Sequence, residues 1–142
     1  MPEEWTLERY HQHQRRGKGK KRQNSRQVPL DGYVFDSETE ARRYQELKLL
    51  ARAGHIRDLK PHPEFSMQKS GQDKFGRTYR KRSYKADFKY WDIQKGRWVA
   101  EEVKARRITD AGNVVPVTMD GFTLRWDMVR KANPDTEFIL VY

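Results

Sequence analysis

The 142-residue chain contains no cysteine, which excludes a disulfide framework and a thiolate zinc site. It has no long apolar run, so neither a signal peptide nor a membrane span is expected. There is no internal repeat. Together these absences fit a protein of the reducing cytoplasm, one domain in size with a single modest core. What the chain has in excess is positive charge. Thirty Lys and Arg stand against twenty Asp and Glu, a net charge of +10. Such a balance calls for a polyanionic partner, most simply nucleic acid. An acidic membrane surface is the rival, but no amphipathic basic helix stands out.

The charge is unevenly spread. Residues 1–26 hold eight basic and three acidic residues, a net of +5, which leaves +5 on the rest. Within them, residues 3–13 suggest a short helix carrying Trp5, Leu7 and Tyr10. Residues 11–26, HQHQRRGKGKKRQNSR, contain no acid and no aliphatic side chain, and such a segment buries no core by itself. Its Arg15, Arg16, Lys18, Lys20, Lys21 and Arg22 are candidates to neutralise DNA phosphates without reading sequence. His11 and His13 lack the context of a zinc or His-Asn-His nuclease site. The division expected is a basic N-terminal tail, 1–26, and a folded domain, 27–142.

Residues 27–35 suggest a β-hairpin turning at Asp31-Gly32. A helix follows, with Ser37 as N-cap, Glu40 three residues later as in a capping box, and Gly54 as its stop. Ala41, Tyr44, Leu47, Leu50 and Ala51 recur at helical spacing and predict its buried stripe. Glu40 has two readings: it closes the cap, or it points from the first turn into a site on the sheet. Residues 56–59 run into Pro61-His62-Pro63 as an extended connector. Strands are expected at 64–68 and 78–90, joined by a polar loop whose basic neighbourhood includes Arg80 and Arg82. His55 and His62 have no partner at ligand spacing and read as ordinary surface or loop histidines. After residue 104 come a loop to 117, a helix over 122–132 capped by Thr118 or Asp120, and a β-prone strand at 136–142. Phe122, Trp126 and Val129 form that helix's inner face. This order predicts an α/β domain with a mixed central sheet flanked by helices.

The chain is organised around residues 84–104, YKADFKYWDIQKGRWVAEEVK. They read as two strands joined by a turn at Ile93-Gln94-Lys95-Gly96. Centring the hairpin there sets Trp91 opposite Trp98, Asp92 opposite Arg97, and Asp87 opposite Glu102. The first two pairings are favourable across antiparallel strands. Alternation then sorts Tyr84, Ala86, Phe88, Tyr90, Val99 and Val103 onto a core face, and Lys85, Asp87, Lys89, Glu102 and Lys104 onto the other. Glu101, an alternative to Glu102, is sent to the opposite face. Facing carboxylates repel. Either they are chance charges on a solvated face, or a divalent cation such as magnesium joins them, with Lys104 in reach of a phosphate or a water.

FDSETEARRYQEL, YKADF and AEEVK, followed by a helix and a final strand, resemble the PD-(D/E)XK nuclease superfamily. The similarity is greatest to a family of small phage endonucleases and to the archaeal-type Holliday junction resolvases, and it covers most of 28–142. The resemblance implies a restriction-endonuclease-like core and a site of Glu40, Asp87, Glu102 and Lys104. Asp87 and Glu102 would hold one or two magnesium ions, with Glu40 through water and manganese as a substitute metal. Lys104 would orient the attacking water, and the products would be a 5′-phosphate and a 3′-hydroxyl. Arg80, Arg82, Lys85 and Lys89 would grip the DNA backbone by their positions. Ala86 departs from the nominal proline before the aspartate. The function this implies is a metal-dependent, structure-selective DNA endonuclease, a homodimeric Holliday junction resolvase acting on branched DNA in the cytoplasm, the host's for a phage-encoded chain. The alternatives are a less selective phage nuclease cutting flaps or single strands, and a non-catalytic nucleic-acid-binding protein.

Overall fold

The structure, a computed structural model, describes residues 26–142. The expected helix at 3–13 and the tail residues Arg15, Arg16, Lys18, Lys20, Lys21 and Arg22 lie outside them. The chain divides into two compact units, Met1–Glu38 and Thr39–Tyr142. In the first, Val28–Leu30 (β1) pairs antiparallel with Tyr33–Phe35 (β2). Asp31 and Gly32 turn between them at φ 53° and 80°, the two positive values that a two-residue type I′ turn requires.

The second unit is mixed α/β. Its elements are helix α1 (Glu38–Arg52), β3 (Ile56–Pro61), β4 (Glu64–Gln68), β5 (Gly71–Gln72), β6 (Thr78–Tyr79), β7 (Arg82–Lys85), β8 (Phe88–Asp92), β9 (Arg97–Val103), β10 (Arg106–Ile108), β11 (Val114–Pro116), α2 (Phe122–Ala132) and β12 (Thr136–Val141). The central sheet runs β12-β9-β8-β3. β12 lies parallel to β9 and the other pairs are antiparallel. No helix among the described residues is long and apolar enough to cross a membrane.

The β8–β9 register is the predicted one, with Trp91 opposite Trp98 and Asp92 opposite Arg97. The tryptophan rings meet edge to face at 5.4 Å. The charge pair does not form. Asp92 Oδ1 accepts the Lys95 N–H in the turn (2.9 Å), and Arg97 Nε reaches Glu137 on β12 at 2.7 Å. A parallel neighbour on the far side of β9 offers Arg97 a better-placed carboxylate than the strand across from it.

Both faces of the sheet are covered. On one, Tyr44 of α1 stacks on Phe88 with centroids 6.1 Å apart. On the other, Phe122, Trp126 and Val129 of α2 bury against Ala100 with Phe65, Tyr84 and Ala86. The Trp126 ring meets Phe138 and Tyr84 edge-on at 5.7 and 6.2 Å. Burying such side chains is worth roughly 1.5–3 kcal/mol each, so these two clusters hold the helices to the sheet. Tyr84 and Ala86 therefore do not share the face of Phe88 and Tyr90, as simple alternation predicted. The expected strand at 78–90 is broken into β6, β7 and β8, and β7 leaves the central sheet to pair with β4.

Other expectations are corrected by local chemistry. The connector at 56–61 is strand β3 of the central sheet, bulged between Arg57 and Lys60, where Asp58 takes φ 54°. The loop after residue 104 contains the hairpin β10–β11. Leu50 is exposed, while Ala41, Tyr44 and Leu47 are buried as predicted. Helix α2 is capped by neither Thr118 nor Asp120. Gly121 at φ 78° starts it without a side-chain cap.

Candidate active site

Asp87 sits at a fork. Up to Lys85 the chain pairs with β4, and from Phe88 it pairs with β3 and β9. Backbone bonds hold the junction. The His62 N–H donates to the Asp87 carbonyl (2.9 Å), the Ala86 N–H to the Pro63 carbonyl (3.0 Å), and the Asp87 N–H to the Glu101 carbonyl (3.0 Å). One side-chain oxygen of Asp87 accepts the Val103 N–H at 2.6 Å. The carboxylate is thereby tied to the strand that carries Glu102.

The surroundings of Asp87 disfavour its charge. Burial, followed by the Glu102 and Glu40 carboxylates, pushes its pKa up to about 8, against the opposing pull of the Val103 N–H and the Lys104 ammonium. The site thus favours the protonated form of Asp87 to a higher pH than an ordinary carboxylate. Glu102 is buried, with Oε1 3.0 Å from the Lys104 ammonium. Its Oε2 has no hydrogen-bond partner among the described residues. The Tyr84 phenol lies beside this carboxylate and is raised by burial, then by the Glu102 charge and the hydroxyl's approach to Glu102, and further by Asp87. An orphaned buried carboxylate oxygen costs free energy unless a ligand or ion completes it. The Lys104 ammonium also lies 4.5 Å from the Phe122 ring centroid, which fixes its direction.

Glu40 is buried in the first turn of α1, and its Oε1 is 2.9 Å from His62 Nε2. The contact sets the Glu40 side chain against the segment between β3 and β4. His62 is consequently not an ordinary loop histidine. Its positive φ of 54° sets its backbone against Asp87 and its ring against Glu40. Among the described residues, no three of His, Cys, Asp and Glu are gathered as a ready-made metal cage. The donors that do converge suit magnesium, which commonly takes one or two carboxylates and keeps several waters.

Glu101 has a different fate. It is fully buried and gripped by Arg43 through two bonds of 2.7 and 2.9 Å, with a third of 2.6 Å from the Tyr90 hydroxyl. These bonds saturate it, so it is a structural anchor between α1 and β9.

A cleft of about 370 Å³ opens beside Lys104, lined in part by Arg42, Arg43, Val103, Arg106 and Val141. Arg42, on α1, and Arg106, at the start of β10, were not anticipated as site residues. Of the anticipated DNA contacts, Arg80, Arg82 and Lys85 are exposed. Lys89 is half-buried, its ammonium 4.5 Å from the Trp98 ring centroid.

No curated protein and no solved structure matches the chain. One family model matches residues 20–130, a span that includes Glu40, Asp87, Glu102 and Lys104. The chain belongs to that family, described as "Protein of unknown function (DUF1064)".

Proposed function

We propose that this chain is a magnesium-dependent DNA endonuclease with a restriction-endonuclease-like core, acting on branched DNA as a homodimeric Holliday junction resolvase. The observation that carries the reading is the juxtaposition of half-buried Asp87 and buried Glu102 beside Lys104, with one Glu102 oxygen unpartnered among the described residues. Like charges placed so close in a low-dielectric site are a liability that a divalent cation removes. Magnesium, or manganese in its place, would supply a water of lowered pKa there and offset charge on the scissile phosphate.

The residues divide the remaining work. Asp87 and Glu102 would hold the ion directly, Asp87 releasing its proton on binding, and Glu40, positioned by His62, would act through water. Lys104 orients the attacking water and offsets negative charge on the pentavalent phosphorane. Water attacks the phosphorus, the bond to the 3′ oxygen breaks, and the products carry a 5′-phosphate and a 3′-hydroxyl. Arg42 and Arg106 at the cleft supply positive charge for the flanking backbone, and the net charge of +10 favours encounter with DNA. Symmetrical cutting of a four-way junction needs two coordinated sites, which a two-fold dimer supplies. On this reading the protein works in the cytoplasm, the host's for a phage-encoded chain.

The test is cleavage of a labelled four-way junction, a linear duplex and a single strand, in Mg²⁺ or in EDTA, by wild type and Asp87→Asn. Paired symmetrical nicks in the junction alone, lost with EDTA and in the variant, are expected. Equal cutting of all three would make it a less selective nuclease. Tight binding without cleavage in any metal would make it a non-catalytic DNA-binding protein.

A further inference from the structure

Between Gln68 and Arg82 the chain leaves the body as a two-stranded arm, β4–β7 continuing into β5–β6. It springs from the two segments that carry His62 and Asp87. Lys69, Lys74, Arg77, Arg80, Lys81 and Arg82 are all exposed on it. With Asp73 as its one acid, residues 69–82 carry +5, which equals the net charge of all of 27–142. The folded body's excess charge is therefore concentrated on this one projection.

The arm is built to stay in shape. The Tyr79 ring lies across Gly71, where a Cβ would come within 2.6 Å of its hydroxyl. At the tip, Asp73 Oδ1 accepts the N–H groups of Phe75 (2.9 Å) and Arg77 (3.0 Å). Gln72 donates to the Gly76 carbonyl at 2.9 Å, and Gly76 takes φ 83°. This turn presents Phe75 outward, 78 % exposed, with the Lys74 ammonium 5.1 Å from its ring centroid. A lone exposed apolar residue is ordinary. An aromatic ring fixed at the apex of a basic arm is the combination that binds nucleic acid with unstacked bases: cations track the phosphates and the ring stacks on a base.

We infer that this arm recognises DNA containing unpaired bases, with Phe75 stacking on an exposed base while the surrounding Lys and Arg hold the backbone. The inference rests on the nuclease reading for the identity of the polymer and supplies that reading with its preference for branched DNA, where pairing is interrupted. Phe75 is twelve residues from Asp87, a reach of at most about 40 Å in extended chain. Arm and carboxylates thus lie within about one turn of duplex of each other.

The experiment measures binding in EDTA, so that cleavage plays no part. The full chain is titrated into a duplex with two unpaired adenines, one replaced by 2-aminopurine, and into the fully paired equivalent, both with flanks longer than a helical turn. Wild type is expected to bind the interrupted duplex more tightly and to quench the 2-aminopurine. Phe75→Ala should lose on the order of tenfold in affinity for the interrupted duplex, lose the quenching, and stay within about twofold of wild type on the paired one. Phe75→Trp should restore both, showing that the ring and not the fold is at issue. Equal weakening on both duplexes, no weakening on either, or no binding of DNA at all would overturn the inference. If Phe75-dependent discrimination holds while cleavage fails in every metal, the arm stands and the nuclease reading falls. If junctions are cut but Phe75→Ala discriminates like wild type, the reverse is true.

Discussion

Glu101 and Glu102 are sequence neighbours that face opposite sides of β9 and meet opposite conditions. Glu101 is saturated by Arg43 and Tyr90, whereas Glu102 keeps a buried oxygen with no partner among the described residues. The first carboxylate is used to hold the fold together. The second is held at the expense of the fold.

That contrast gives two substitutions with opposite effects. Glu101→Ala leaves the part-buried Arg43 with only the more exposed Glu46, and the Tyr90 hydroxyl without its acceptor, and should cost about 3 kcal/mol of unfolding free energy. Glu102→Gln relieves repulsion with Asp87 and should leave the metal-free protein as stable as wild type or more so, while abolishing cleavage. Urea denaturation in EDTA measures both, and a destabilised Glu102→Gln would contradict the account.

Asp87 makes stability depend on pH with a definite sign. Its folded-state pKa lies above the ordinary 3.8, at about 8, so the folded chain keeps a proton that the unfolded chain releases. This contribution is fully present below pH 3.8 and is lost as pH rises toward and through 8. In EDTA, the melting temperature of wild type should therefore fall relative to Asp87→Asn between pH 5 and pH 9. Excess Mg²⁺ should offset the fall, and binding near pH 7 should release close to one proton, measurable by titration calorimetry in two buffers of different ionisation enthalpy. Parallel wild-type and variant curves would remove the proton from Asp87.

His62 acts on the site through Glu40. Replacing it with alanine should raise the Mg²⁺ concentration for half-maximal cleavage about tenfold, within the range seen when groups behind metal ligands are lost. Affinity for DNA in EDTA should stay within about twofold. A drop in the maximal rate with unchanged Mg²⁺ dependence would place His62 in a different role.

Lys104→Ala should lower the single-turnover rate at saturating Mg²⁺ by at least about a hundredfold, with little change in DNA affinity. Lys104→Arg should recover part of it, since charge returns on a bulkier, differently directed group. Full activity in Lys104→Ala would remove the residue from the mechanism.

Much of the site's frame was legible in short-range pattern. The β8–β9 register followed from Trp91, Trp98 and the Gly96 turn, and α2's inner face followed from Phe122, Trp126 and Val129. The features that escaped are those decided by partners distant in the chain. β3 was disguised by Asp58 at positive φ and by the proline that ends it. The departure of β7 from the central sheet depends on β4 competing for it, which no local alternation records. His62 meets Glu40 only because its backbone takes a left-handed conformation, although its two flanking prolines do mark a stiff segment. The roles of Glu101 and Glu102 were separable in advance by parity alone, but that Arg43 and Tyr90 saturate Glu101 was not.

The fork at Asp87 has an evolutionary consequence. The chain departs the sheet after β3 and returns at Asp87, and the His62–Asp87 and Pro63–Ala86 backbone bonds clamp the two ends together. Everything between them is a closed excursion whose length adds little closure cost, because that cost grows only logarithmically. Descendants can lengthen, shorten or redecorate the projection while the carboxylates stay where they are. The projection is free to diversify independently of the carboxylates at its root.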